Sequence, residues 1–118
     1  MARSSSGPLF WPIDLYGDDG WSLRVEMTEL VDGVETAMDV SARTYRGQVR
    51  AEAASTGDPL AEMDIDDSAA ADGVIVVSIP VGLVRGLVGY WDLQEVIGSG
   101  APTTLFAGPV TWSSDVTR

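Results

Sequence analysis

The sequence predicts an all-β sandwich, on three observations. Short apolar segments alternate with turn signals at a spacing of about ten residues. Within the clearest segments, apolar and polar side chains alternate with period 2 rather than 3.6. The chain has 118 residues, 45% of them hydrophobic. That is one domain's worth of chain, able to bury roughly two-thirds of its unfolded surface.

Residues 1–8 (MARSSSGP) are small and polar and are expected to form a flexible N-terminal tail, followed by a single sandwich domain over 9–118. Leu9, Trp11, Ile13 and Leu15 share one parity, and Pro12 restricts them to a sheet edge. Residues 9–20 are read as that edge strand or as a docking arm. Gly17–Gly20 (GDDG) is a turn. Trp21, Leu23, Val25 and Met27 alternate with Ser22, Arg24, Glu26 and Thr28, which marks a half-buried strand. Val31-Asp32-Gly33 is a hairpin turn signal, and Val34–Val40 is a short strand or an irregular crossing.

In the next segment Tyr45, Gly47, Val49 and Ala51 oppose Thr44, Arg46, Gln48, Arg50 and Glu52, until Ser55–Pro59 breaks the pattern. Ala61, Met63 and Ile65 then alternate with Glu62, Asp64 and Asp66. The β-branched run Val74–Ile79 is expected as a central strand covered on both faces. Leu83, Val84 and Leu87, following Pro80, have the spacing of a short helical crossover. In Val88–Ile97, Trp91 and Leu93 oppose Asp92 and Gln94. In the last strand Phe106, Gly108, Val110 and Trp112 share a face.

About seven short antiparallel strands with one helical crossover match an immunoglobulin-like sandwich in number, length and turn spacing. Its expected core is Trp21, Leu23, Val25, Val49, Ile65, Ile75, Val77, Trp91, Leu93, Phe106, Val110 and Trp112. Each buried aromatic removes ~150–250 Å² from water, several kcal/mol at ~25 cal/mol per Å². Three tryptophans in the core therefore substitute for the ~2–4 kcal/mol of a disulfide.

Eighteen acids against seven arginines give a net charge of −11, which argues against binding nucleic acid or an anionic membrane. No apolar run approaches the ~20 residues of a membrane span, and no secretory signal is expected. The chain contains no Cys, His, Lys or Asn. Disulfides, thiolate nucleophiles, histidine general bases, Schiff bases and N-glycosylation are thereby excluded. Only carboxylates, hydroxyls and arginine remain for chemistry. We expect no enzymatic activity, no cofactor and no metal. The acidic stretch Asp58–Asp72 fails as an EF-hand loop, because Ala69 stands at the glycine position and Ile75 at the final glutamate. Gly82, Gly86 and Gly89 lack the strand–loop–helix context and the lysine of a phosphate cradle.

Five residues are candidates for an interface. Leu9, Phe10 and Trp11 are large apolar groups near a chain end. Arg46 and Arg50, on one strand face, either grip an acidic partner or pair with Glu52, Glu62 or Asp64 across the sheet.

The ordered segments WSLRVEM (Trp21–Met27), Asp39-Val40, RTYRGQVRAE (Arg43–Glu52), DPLAEMDI (Asp58–Ile65), GVIVVSIP (Gly73–Pro80), YWDLQ (Tyr90–Gln94) and LFAGPVTWSSDVTR (Leu105–Arg118) resemble a family of immunoglobulin-like phage virion proteins. These are encoded near tail genes and are similar to the N-terminal domain of siphophage upper baseplate proteins. The resemblance covers residues 21–118 and departs at Gly89, where the family carries a tyrosine. It implies a non-enzymatic tail, baseplate or head–tail component that packs against other virion proteins in many symmetric copies and is assembled in the host cytoplasm. A capsid decoration protein is the alternative within that class. A carbohydrate- or host-surface-binding module, with Trp11 or Tyr90 stacking on sugar, is the alternative from another class. A hydrolase built on Asp64 and Asp66 is the third reading.

Overall fold

The computed structural model describes residues 8–52 and 57–114. The expected tail over 1–7, part of the turn at Ser55–Pro59 and the terminal Asp115–Arg118 lie outside the described residues. Eleven strand segments build two sheets and a separate hairpin. In the larger sheet β1 (Leu9–Phe10) and β2 (Ile13–Tyr16) flank β11 (Thr103–Ser113), followed by β10 (Gly89–Ile97), β6 (Arg43–Arg50) and β7 (Ala61–Glu62). The smaller sheet has the order β3 (Trp21–Glu26), β9 (Val74–Ile79), β8 (Asp64–Asp66). β4 (Thr28–Val31) and β5 (Val34–Ala37) pair with each other.

The molecule is an all-β, immunoglobulin-like sandwich. One sheet carries the order β11–β10–β6 and the other β3–β9–β8, which is the strand distribution of that fold. The expected seven strands are recovered when β1–β2 and β7–β8 are each taken as one interrupted strand and the hairpin is set aside.

Both interruptions have a local cause. β1 and β2 keep a single register along β11, with Leu9 opposite Phe106 and Ile13 opposite Val110. That register sets Pro12 against Pro109, and neither has an N–H to give the ladder. The pairing is parallel, not antiparallel as expected. The Gly17–Gly20 segment carries the chain across to β3 in the other sheet instead of folding it back. The second interruption is a change of sheet. β7 pairs with β6 in the larger sheet and β8 with β9 in the smaller one. At the crossing, the Met63 N–H donates to the Gly47 carbonyl at 2.8 Å. The Met63 side chain fills the space that a Cβ on Gly47 would occupy.

Ile75, Val77 and Ile79 of β9 are buried, whereas Val74, Val76 and Ser78 are half-buried on the outer face. The expectation of cover on both faces is corrected: among the described residues no layer packs on that side of a three-stranded sheet. The expected crossover at Pro80–Leu87 reduces to a single 3-10 turn over Val81–Leu83. It still seats Val84 and Leu87 in the core.

Of the expected core residues, Val25, Val49, Ile75, Val77, Trp91, Leu93 and Val110 are buried. Trp21, Leu23, Ile65, Phe106 and Trp112 are partly buried and pack against that core. β3 and β8 are sheet edges, so Trp21, Leu23 and Ile65 reach only its perimeter, while Val25 near the end of β3 is buried. Ile13, Leu15, Val40, Ala61, Met63, Ala70, Ile79 and Leu105 complete the interior. Leu105 enters through a bulge, where the β10–β11 register shifts between Leu93 and Gln94.

Candidate functional site

Three surface features carry groups with no structural task that explains their exposure. The first is the N-terminal edge. Residues 9–16 are a strand of the larger sheet, with Ile13 and Leu15 only 1% and 2% exposed. Leu9, Phe10 and Trp11 precede that buried pair and stay open, Phe10 at 70%. The Trp11 carbonyl accepts the Trp91 indole N–H at 2.7 Å, and its own N–H donates to the Ala107 carbonyl at 2.9 Å. This close approach requires Gly108, since a Cβ there would lie 2.5 Å from the Trp11 oxygen. The Trp11 ring sits edge-on to Phe106 at 5.9 Å, Phe106 stacks on Trp91 at 6.3 Å, and Trp91 meets Trp21 edge-on at 5.7 Å. A chain of four rings thus runs from the open edge to the opposite sheet.

The second feature is the outer face of the larger sheet, where the register places Phe10, Ala107, Asp92, Gln48 and Glu62 in one row across five strands. Tyr90 lies opposite Arg50 in the next row, and Gln94 opposite Arg46. Arg46 donates to Glu62 at 3.1 Å, and Gln48 donates to the same oxygen. Arg50 donates to the Gln48 side-chain oxygen and, at 2.7 Å, to the Gly57 carbonyl. Arg46 and Arg50 are therefore bonded within the sheet, and the partners seen are Glu62, Gln48 and Gly57. The Arg46 guanidinium, and then the Gln48 amide, hold the Glu62 carboxyl below its ordinary value.

Beside this network a depression of about 280 Å³ is lined by residues that include Gln48, Arg50, Glu52, Tyr90, Asp92 and Ala107. Asp92 is half-buried, and among the described residues no group donates a hydrogen bond to its carboxylate. Burial pushes its carboxyl above the ordinary value, opposed by the charges of Arg50 and Arg46. Gly89 borders Tyr90, and a Cβ there would strike the Arg50 carbonyl oxygen. No side chain fits this backbone at position 89.

The third feature is the β4–β5 hairpin. Asp32 (φ 52°) and Gly33 (φ 82°) form the turn that the Asp-Gly pair signals. Leu30, Val31 and Val34 are 63%, 47% and 63% exposed, and Val31 lies directly opposite Val34. The hairpin is anchored at its base, where Met27 donates to the Gly73 carbonyl and Met38 to the Met27 carbonyl. Ile97 of β10 pairs with Arg43 of β6, so the turn after Ile97 shares the hairpin's end of the sandwich. Ile97 is exposed as well.

One charged cluster is structural. Glu95 is 7% exposed and accepts from Arg43 at 3.1 Å and from the Tyr45 hydroxyl at 2.7 Å. Burial, with the Glu95 carboxylate, drives the Tyr45 phenol well above its ordinary value. Asp64 and Asp66 share the exposed face of β8, and Asp66 accepts from the Ser68 N–H and hydroxyl, which holds its carboxyl low. Among the described residues no group of three or more acidic side chains is arranged to hold a metal ion.

Sequence parity placed Arg46 and Arg50 on one face but gave no sign that Asp92 joins them. That requires the pairing of Asp92 with Gln48. The hairpin's apolar tip was legible only as a turn signal.

No protein-family model matches the chain, and no curated protein matches it. Among solved structures, a chimeric titin Z1Z2 functionalized with a KLER exogenous peptide from decorin is similar to it. The identity is 14%, the coverage 93% of this chain and 92% of that one, and the TM-score 0.49.

Proposed function

We propose that the chain is a non-enzymatic bacteriophage virion structural protein, a minor tail, baseplate or head–tail component that acts by packing against other subunits of a symmetric assembly. The observation that carries this reading is the hairpin end of the sandwich. Leu30, Val31 and Val34 present apolar area there, and Ile97 is exposed as well. An isolated hairpin is marginal in water, and its tip gains most from burial against a neighbour. The virion setting comes from the ordered segments WSLRVEM through DVTR and their likeness to phage proteins. Repetition by symmetry multiplies modest contacts into a stable assembly. A net charge of −11 keeps free copies apart until they meet a complementary surface.

The test is electron microscopy of purified phage particles labelled with an antibody to this chain. Label at a fixed place on the tail or the head–tail junction is the expected result, and label over the capsid lattice favours the decoration alternative. Absence of the chain from particles, with recovery in the soluble lysate, overturns the reading.

A further inference from the structure

We propose that the depression above Asp92 receives one guanidinium group, an arginine side chain of a protein partner, with Asp92 and Glu52 as its anionic contacts and the Tyr90 ring as its flank. The inference deepens the docking reading and rests on it only for assigning the cation to a protein.

The argument begins with which groups are already used. Arg50 spends one terminal nitrogen on Gly57 and the other on Gln48, and the Gln48 amide donates in turn to Glu62. These bonds turn two of the five Arg50 N–H groups toward the network's own acceptors. The depression also leaves two acceptors open, the Asp92 carboxylate, which no described residue bonds, and the exposed Glu52. A half-buried carboxylate without a hydrogen-bond donor is an unfavourable arrangement, offset in part here by the charges of Arg50 and Arg46, and a bound cation relieves the rest. The upward push that burial gives Asp92 has the same origin.

Shape and charge narrow the occupant. Tyr90 is 40% exposed beside Asp92, and a planar, weakly hydrated guanidinium both stacks on such a ring and meets a carboxylate through paired N–H groups. A volume of about 280 Å³ holds one such side-chain end. The chain's net charge of −11 attracts a basic partner and opposes an anionic one.

The experiment titrates the full-length chain with N-acetyl-arginine amide, followed by two-dimensional amide NMR. Saturable shifts are expected at the Gln48 side-chain amide and along Tyr90–Leu93, with affinity in the millimolar range. Asp92→Asn should weaken binding about tenfold and Glu52→Gln severalfold. Methyl glucoside and N-acetyl-glutamate amide should give no shifts there. If Asp92→Asn fails to fold, Tyr90→Ala, expected to weaken binding severalfold, takes its place. Absence of saturable shifts, unchanged affinity in the variant used, or equal binding of methyl glucoside each overturns the proposal, the last in favour of a polyol site. Arginine binding by a chain that is absent from particles would sink the virion reading alone. A chain found in particles that ignores arginine would sink this inference alone.

Discussion

Two substitutions five residues apart in the first strand should have opposite consequences. Leu15 is 2% exposed within the core cluster, whereas Phe10 is 70% exposed on the outer face of the same sheet. Truncating a fully buried leucine to alanine costs about 2–5 kcal/mol, with about 3 a fair expectation where neighbours from both sheets hold the cavity open. At roughly 4 °C per kcal/mol for a domain of this size, Leu15→Ala should melt about 12 °C below the parent. In urea its midpoint should fall by about 1.5 M if the denaturant slope is near 2 kcal/mol per M. Phe10→Ser should stay within about 0.5 kcal/mol of the parent. Unfolding followed by tryptophan emission reads both, because Trp91 lies in the core. Deleting residues 1–16 removes Ile13 and Leu15 together and leaves the Trp91 N–H without the Trp11 carbonyl. The summed loss approaches a small domain's total stability of about 5–15 kcal/mol. An alanine variant at 15 that melts with the parent, or a truncated chain that stays fully folded, would show that these residues are a detachable arm.

The remaining predictions follow from single contacts. Gly108→Ala places a Cβ against the Trp11 carbonyl and should cost about 2–3 kcal/mol, with faster hydrogen exchange confined to the first strand and β11. Gly73→Ala combines a positive φ with a clash against the Met27 and Met38 carbonyls; a similar loss is expected, read by calorimetry. Tyr45→Phe leaves Glu95 with Arg43 alone and should lower stability by about 1–3 kcal/mol in a urea titration. Asp92→Asn should raise stability slightly at pH 7. The folded state lifts this carboxyl above its unfolded value, so its ionised form is penalised at neutral pH. The gain should fade as pH falls through the raised value and vanish below the ordinary aspartate range near ~3.9. Thermal melts across pH measure it, and a gain that persists in acid would contradict the burial argument.

Much of the fold was legible because strand parity is written directly in the side chains. Trp21–Met27, Tyr45–Val49 and Trp91–Leu93 show period 2 without interruption, and each is a strand up to the exit at Met27. Parity does not name the hydrogen-bonding partner. Ala61, Met63 and Ile65 keep one inward face while the backbone leaves one sheet for the other, so the exchange at Met63 left no trace in the alternation. The Leu105 bulge was hidden for a related reason: a single inserted residue shifts the phase within a segment that is apolar throughout. The surface site divides similarly. Arg46 and Arg50 stand out as charges at alternate positions, whereas Asp92 acquires its setting only from the register that brings Gln48 and Arg50 beside it.

The ring chain explains how a sandwich without a disulfide leaves so much of its surface for other uses. Trp91 is joined to Trp21 of the smaller sheet, to Phe106 of its neighbouring strand and, through its indole N–H, to the first strand. One side chain thus ties together three elements that are distant in sequence, a cross-linking role made of burial and one directed bond. With cohesion gathered there, the outer face of the larger sheet and the hairpin are free to carry groups that stabilise nothing within the monomer. Asp92 and Leu30 illustrate the two kinds, a carboxylate to which no described residue donates and an apolar side chain left in water. Each is unfavourable in the isolated chain, and a neighbour that supplies a cation or an apolar surface relieves both. On the docking reading proposed above, the sites where this chain departs from its most stable monomer are where a partner would bind.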